Sequence, residues 1–184
     1  MGMPQTADVW TAERIRALPD DRRRHEVVDG EHLVTPAPRV VHERAVGLLR
    51  DALRPYVDSH ALGECFAGRS DVELDPRTLV QPDVFVTARR RAKAWSEILP
   101  LRLAVEVLSP STARADRLVK RPRYQKAGIE FWIVDLDARL VERWRPREDR
   151  PEVLAESLDW RPEGAVEPLV VDLPSLFREA HGED

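Results

Sequence analysis

LRLAVEVLS, residues 101–109, is nearly all aliphatic and yet holds one glutamate, Glu106. LVQPDVFV, residues 79–86, does the same with one aspartate, Asp83. Both read as buried strands, and the near-continuous aliphatic run over 101–108 predicts cover on both faces of its sheet. An ionised acid in an apolar setting is costly unless something pairs with it. Either each acid has a private partner, or the two meet at one site built around a cation.

Outward from these runs, the chain reads as an α/β fold: a mixed sheet flanked by helices, with an N-terminal hairpin. HEVVDGEHLVT (25–35) is two short strands around Asp29-Gly30, a dipeptide suited to a tight turn with positive φ. Residues 8–18 read as a short amphipathic helix with Thr11 and Glu13 near its start. From Val40 to Val57, apolar residues at 41, 45, 48, 49, 52, 53 and 56 keep helical spacing with one buried face. GECFAG and DVELD are short strands around Gly68, and RRRAKAWSEILP is a surface loop or short helix ending at Pro100.

Beyond the central strand, Ser109, Ser111 and Thr112 are candidate N-caps for a helix that runs to about Ala127 and stops at Gly128. Pro122 kinks that helix or restarts it from a new first turn. IEFWIVDLDARLVERWRP is a strand–turn–strand, and the tail gives one or two edge strands and a short helix around PSLFREA. The organisation expected is a single domain over 1–184. It divides into an extension at 1–19, a core at 20–145, and C-terminal edge strands and helix at 146–184.

The 184 residues suffice for a sizeable core. One cysteine, Cys65, permits no intrachain disulfide, and no apolar stretch approaches the roughly 20 residues of a membrane span. A cytoplasmic protein that does not enter membranes is the expectation. The net charge of −4 argues against a protein that coats nucleic acid, but the charge is uneven. Residues 86–126 hold eleven Arg or Lys against three Asp or Glu, with ARRRAK (88–93) and KRPR (120–123) on either side of the Glu106 strand. Such a block can neutralise a phosphate backbone, or it can pair with the acidic remainder of the chain.

Alternation places Ala104, Glu106 and Leu108 on one face of their strand, and Asp83 points the same way as Phe85 in its own. If the two strands are neighbours, both carboxylates reach a shared spot, where a divalent cation would relieve their repulsion. Hard oxygen donors without a Cys or His cluster favour Mg²⁺ or Mn²⁺ over zinc. Plainer readings stand beside this one. Glu106 can be salt-bridged to an arginine, and Asp83 after Pro82 can be turn chemistry. Asp116 and Lys120 can be a simple i,i+4 helix pair, and His42 a capping or core histidine. Tyr124, Phe131 and Trp132 read as core.

The ordered series HEVVDGE, PAPRVVHE, QPDV, VEVLSPST, D-x-x-x-K, Y-x-x-A-G and FWIVD, spanning roughly residues 20–145, resembles the Uma-two family of restriction-endonuclease-like proteins. That family is a branch of the PD-(D/E)XK nuclease superfamily. The resemblance implies a restriction-endonuclease-like core and Mg²⁺- or Mn²⁺-dependent hydrolysis of phosphodiester bonds in DNA; a homodimer is expected as the usual way to address two strands. Asp83, Glu106 and Lys120 would be catalytic. Asp83 and Glu106 would hold the metal together with the carbonyl of Val107, and Glu26, His42 and Asp116 would line the site. Arginines of the basic block would hold flanking phosphates. The superfamily's lysine two residues past the second acid is replaced here by Leu108, and Lys120 matches the lysine that the narrower family places beyond the strand. A catalytically inactive nucleic-acid- or protein-binding module on the same fold is the alternative, because fold does not settle function.

Overall fold

The structure is a computed structural model and describes residues 9–68, 70–109 and 113–183. Its first half carries α1 (Ala12–Arg16), β1 (Arg24–Val28), β2 (Glu31–Thr35), α2 (Val40–Ser59), β3 (Glu64–Ala67), β4 (Val72–Asp75), β5 (Thr78–Val80) and β6 (Val84–Thr87). β7 (Leu101–Val107) leads into a helical segment made of α3 (Ala113–Ala115), a π turn (Asp116–Lys120) and α4 (Arg121–Lys126). β8 (Glu130–Asp135), β9 (Leu140–Trp144), β10 (Glu152–Leu154), β11 (Ser157–Trp160), β12 (Leu169–Asp172) and α5 (Leu173–His181) complete the chain.

The main sheet has six strands in the order β10-β9-β8-β7-β6-β3. It is mixed: β7 and β8 run parallel and every other pair is antiparallel. The helical segment 113–126 makes the crossover that a parallel pair requires. β7 is central, and its side chains sort by alternation. Leu103, Val105 and Val107 join the core under α2 and α5, whereas Ala104 and Leu108 join the opposite core with Tyr124, Phe131 and Ile133; Leu101 joins that second core too, out of alternation, because the register shifts between it and Leu103. The expected cover on both faces is present, and Glu106 sits between Ala104 and Leu108 in that alternation. The ladder between β6 and β7 is regular from Val84 to Val86 and slips at Thr87.

A second sheet of four strands, β2-β1-β5-β4, contains the expected hairpin. Asp29 at φ 55° and Gly30 at φ 84° make its turn. α1 is shorter than the helix expected over 8–18; Thr11 caps it, accepting the Arg14 amide at 3.2 Å. VQPDVFVT, expected as one strand, is divided between the two sheets, β5 in one and β6 in the other. Pro82 has no N–H to give a ladder, so the chain changes sheets there, and Asp83 lies on the seam.

α2 follows its predicted span, but its buried face holds His42 along with Ala45, Val46, Leu49, Leu53, Tyr56 and Val57. Pro122 does begin a new helix: the π turn precedes it and α4 carries it in the first turn. The candidate caps Ser111 and Thr112 lie outside the described residues, while the carbonyl of Ser109 accepts the Ala113 amide at 3.1 Å. Of the C-terminal strands only β10 borders the main sheet; β11 and β12 form a separate ribbon. Among the described residues, no helix is long and apolar enough to cross a membrane.

The join between α2 and β3 depends on Gly63, at φ 134°, where a Cβ would stand 1.7 Å from the carbonyl oxygen of Thr87. Gly63→Ala is expected to lower stability by more than about 2 kcal/mol. Gly47, on α2, has open space at the same position, and Gly47→Ala should raise stability by about 0.5–1 kcal/mol. Urea melts of the two variants check this, and equal midpoints would contradict it.

Candidate active site

Asp83 immediately precedes β6, whose first residue Val84 pairs with Val105, and Glu106 follows Val105 on β7. The Asp83 amide donates to the Val105 carbonyl at 3.0 Å, so the seam residue is held by the central strand. Rigid sheet therefore fixes both acids, which are only 1 % and 2 % exposed. They border one cleft of about 470 Å³, together with Arg24, Arg39, His42, Val107 and an apolar wall at Pro36–Pro38.

Each carboxylate has one anchored oxygen. Asp83 Oδ2 accepts the Val107 amide at 2.8 Å and lies 3.2 Å from His42 Nε2. Glu106 Oε1 accepts from Lys120 Nζ at 3.1 Å and from the Tyr124 hydroxyl at 3.3 Å. The other two oxygens face a single guanidinium. Arg24 Nη2 donates to Asp83 Oδ1 at 2.7 Å, and Arg24 Nη1 is 3.9 Å from Glu106 Oε2. The alternative of a private arginine for each acid is not what the fold builds; one arginine serves both.

Behind Glu106, the Lys120 ammonium is also 2.8 Å from Glu26 and 3.1 Å from Asp116. Glu26 comes from β1, and its other oxygen accepts the Gln81 amide at 2.7 Å. Asp116 comes from the π turn, so the i,i+4 pair exists, but it is buried and part of a larger cluster. Glu26, Asp116 and Lys120 do not border the cleft. They stand one side chain behind it, with Glu106 as the link.

Four buried carboxylates thus surround two charged side chains, Arg24 and Lys120, and one histidine. Burial tends to raise the Asp83 carboxyl, but the His42 hydrogen bond, the Arg24 charge and the Val107 amide outweigh it and hold it at about 2. Glu106 goes the other way. Burial pushes it well above the usual carboxylate range, Asp116, Asp83 and Glu26 add repulsion, and Lys120 opposes them only in part. Burial would lower Lys120, yet the acids around it raise it well above its ordinary value, so it stays charged. Burial likewise disfavours the His42 cation, and Asp83 more than compensates, raising it. The cluster carries surplus negative charge, and Glu106 is where a proton or a further cation relieves it.

Apart from Lys120, which belongs to the cluster, the basic block does not border the cleft. ARRRAK follows Thr87, at the end of β6 away from Asp83, about 14 Å along the strand. In the second half of the block, Arg117 pairs with Asp135 and Glu142, Arg123 with Asp29, and Arg121 stacks over Trp144 at 4.5 Å. The reading in which these charges pair with the acidic remainder describes Arg117, Lys120 and Arg123. Two contributors escaped the sequence reading. Arg24 carried a usable signal, because it alternates with Glu26 on β1. Tyr124 had none beyond its place as core, where it is fully buried.

The family described as Uma2, putative restriction endonuclease, matches residues 12–173. The chain belongs to the Uma2 family. Its fold is similar to that of a putative nuclease belonging to DUF820 from Anabaena variabilis, with a TM-score of 0.75 and 21% identity over 93% of this chain and 99% of that one. The restriction-endonuclease-like fold expected from the sequence is the fold found. No curated protein matches the sequence. The Uma2 description points to a nuclease.

Two outcomes follow for the protein in EDTA. Lys120→Met leaves three buried acids without their ammonium and should cost about 3–5 kcal/mol in urea unfolding at pH 7. A loss below 1 kcal/mol would show that the ammonium is dispensable. Asp83 has a folded value near 2 against about 3.9 unfolded, so its contribution is complete above the unfolded value and fades as pH falls through the folded one. The advantage of wild type over Asp83→Asn, about 2 kcal/mol at pH 6, should shrink steadily from pH 5 towards pH 2. An advantage that grows over that range would contradict the assignment.

Proposed function

We propose that this Uma2 protein is a metal-dependent nuclease that hydrolyses phosphodiester bonds in DNA, with Asp83 and Glu106 as the metal-binding carboxylates. The observation that carries the reading is the pair of oxygens, one on each buried acid bordering the cleft, that face a shared guanidinium within a cluster of surplus negative charge. Among the described residues no group of three or more His, Cys, Asp or Glu forms a ready-made ion cage. Mg²⁺ does not require one. It keeps several waters and commonly takes one or two carboxylates, the rest coming from carbonyls and substrate phosphate. Asp83, Glu106 and the Val107 carbonyl suit that pattern, and Mn²⁺ suits the same hard oxygens.

A bound Mg²⁺ would polarise a phosphoryl oxygen and acidify a water. The residues of the chain do the positioning. His42 and the Val107 amide hold Asp83 at one oxygen, and Lys120 and Tyr124 do the same for Glu106. Lys120 works through Glu106, keeping its carboxylate oriented and favouring its ionised form, while Glu26 and Asp116 keep the ammonium in place. This makes Lys120 a positioning residue and accounts for an aliphatic Leu108 at the usual lysine position: the cation arrives from the crossover segment instead of the strand. The Uma2 description supports nuclease chemistry, and the Anabaena variabilis neighbour carries a nuclease description on the same fold.

Incubation with plasmid and single-stranded DNA in Mg²⁺ or Mn²⁺ tests the proposal. Cleavage should disappear with EDTA and fall at least 100-fold in Asp83→Asn and Glu106→Gln. Equal cleavage by either variant would reject the site. Salt-dependent DNA binding with no turnover by the wild type would identify a binding module on a nuclease fold.

A further inference from the structure

Arg24 is the first residue of β1 and borders the cleft with 15% of its side chain exposed. Its two terminal nitrogens face Asp83 Oδ1 and Glu106 Oε2, the two oxygens that the rest of the cluster leaves open. The opposite oxygens are occupied: Oδ2 by the Val107 amide and His42, and Oε1 by Lys120 and Tyr124. A metal ion held by Asp83 and Glu106 would need the same two oxygens that Arg24 now faces. A guanidinium keeps its charge at every accessible pH, so it can yield those oxygens only by moving, not by losing a proton. The two contacts are unequal, tight to Asp83 at 2.7 Å and loose to Glu106 at 3.9 Å. Lys120, by contrast, is locked by three acids away from the cleft.

We infer that Arg24 is the exchangeable cation of the site. In the metal-free protein it screens the two open carboxylate oxygens from each other. A divalent ion takes its place, and the released guanidinium, still in the cleft, binds a phosphate oxygen of the substrate. The planar fork of arginine suits both partners, since carboxylate and phosphate offer it the same paired acceptors. The inference rests on the metal-dependent reading above and adds a residue that this reading did not use.

Calorimetric titration of Mn²⁺ into wild type, Arg24→Gln and Asp83→Asn tests it, with DNA absent. Arg24→Gln should bind Mn²⁺ at least tenfold more tightly than wild type, because the competing cation is gone, and Mn²⁺ should raise its melting temperature by more. Asp83→Asn should not bind. Arg24→Lys, which keeps one charge but cannot span both oxygens, should fall between wild type and Arg24→Gln; it serves as the test if the glutamine variant fails to fold. With an oligonucleotide substrate, Arg24→Gln should show a KM raised at least fivefold despite its tighter metal. Equal or weaker Mn²⁺ binding by Arg24→Gln overturns the exchange while leaving the metal site intact. An unchanged KM overturns the phosphate role. Absence of Mn²⁺ binding by wild type and Arg24→Gln alike removes the metal reading and the exchange with it.

Discussion

The ammonium of Lys120 is the tie on which the site depends. It is 2% exposed and holds Glu26 from the hairpin sheet, Glu106 from the main sheet and Asp116 from the crossover segment. Three separate elements therefore meet at one charge. Such a contact is weak evidence for net stability, because desolvating the ions offsets much of their attraction. Its value lies in orientation. The cluster holds Glu106 by one oxygen and leaves the other to Arg24, which apolar packing could not do.

Asp83 reaches the same place by another route. Pro82 ends one strand and the chain crosses to the second sheet, so its acid stands where the two sheets meet. The position opens to the cleft, yet the backbone stays hydrogen-bonded to β7. The two acids end with opposite tendencies, Asp83 pressed towards ionisation and Glu106 away from it, although they face the same guanidinium. Partners explain the contrast: Asp83 has an amide, a histidine and an arginine, while Glu106 shares its ammonium with two competing acids.

Much of this was legible in the sequence because it follows from local pattern. The alternation of β7, the Asp29-Gly30 turn, the span of α2 and the restart at Pro122 each have a cause within a few residues. The division of VQPDVFVT was signalled by Pro82, but which sheet each half would join depends on distant partners. The separate β11–β12 ribbon was hidden for the same reason, since short strands do not announce their neighbours. At the site, the convergence of Asp83, Glu106 and Lys120 is as the residues and the resemblance suggested. Arg24 was missed because an arginine in the run RRRH looks solvated until the sheet turns it inward. The basic block, Lys120 apart, misled through linear proximity: ARRRAK is carried to the far end of a strand, and Arg117 and Arg123 are spent in pairs with other acids.

The slip in the β6–β7 ladder lies between Val86 and Thr87, at the end remote from the acids. A bulge absorbs an extra residue locally, bending one strand without passing the offset along the pair. Whatever length or shape the segment between Thr87 and Leu101 takes, the mismatch is taken up before it reaches Val84 and Val105. The arginine-bearing loop therefore enters the ladder beyond the bulge, and the regular pairs from Val86–Leu103 to Val84–Val105 lie between it and the carboxylates.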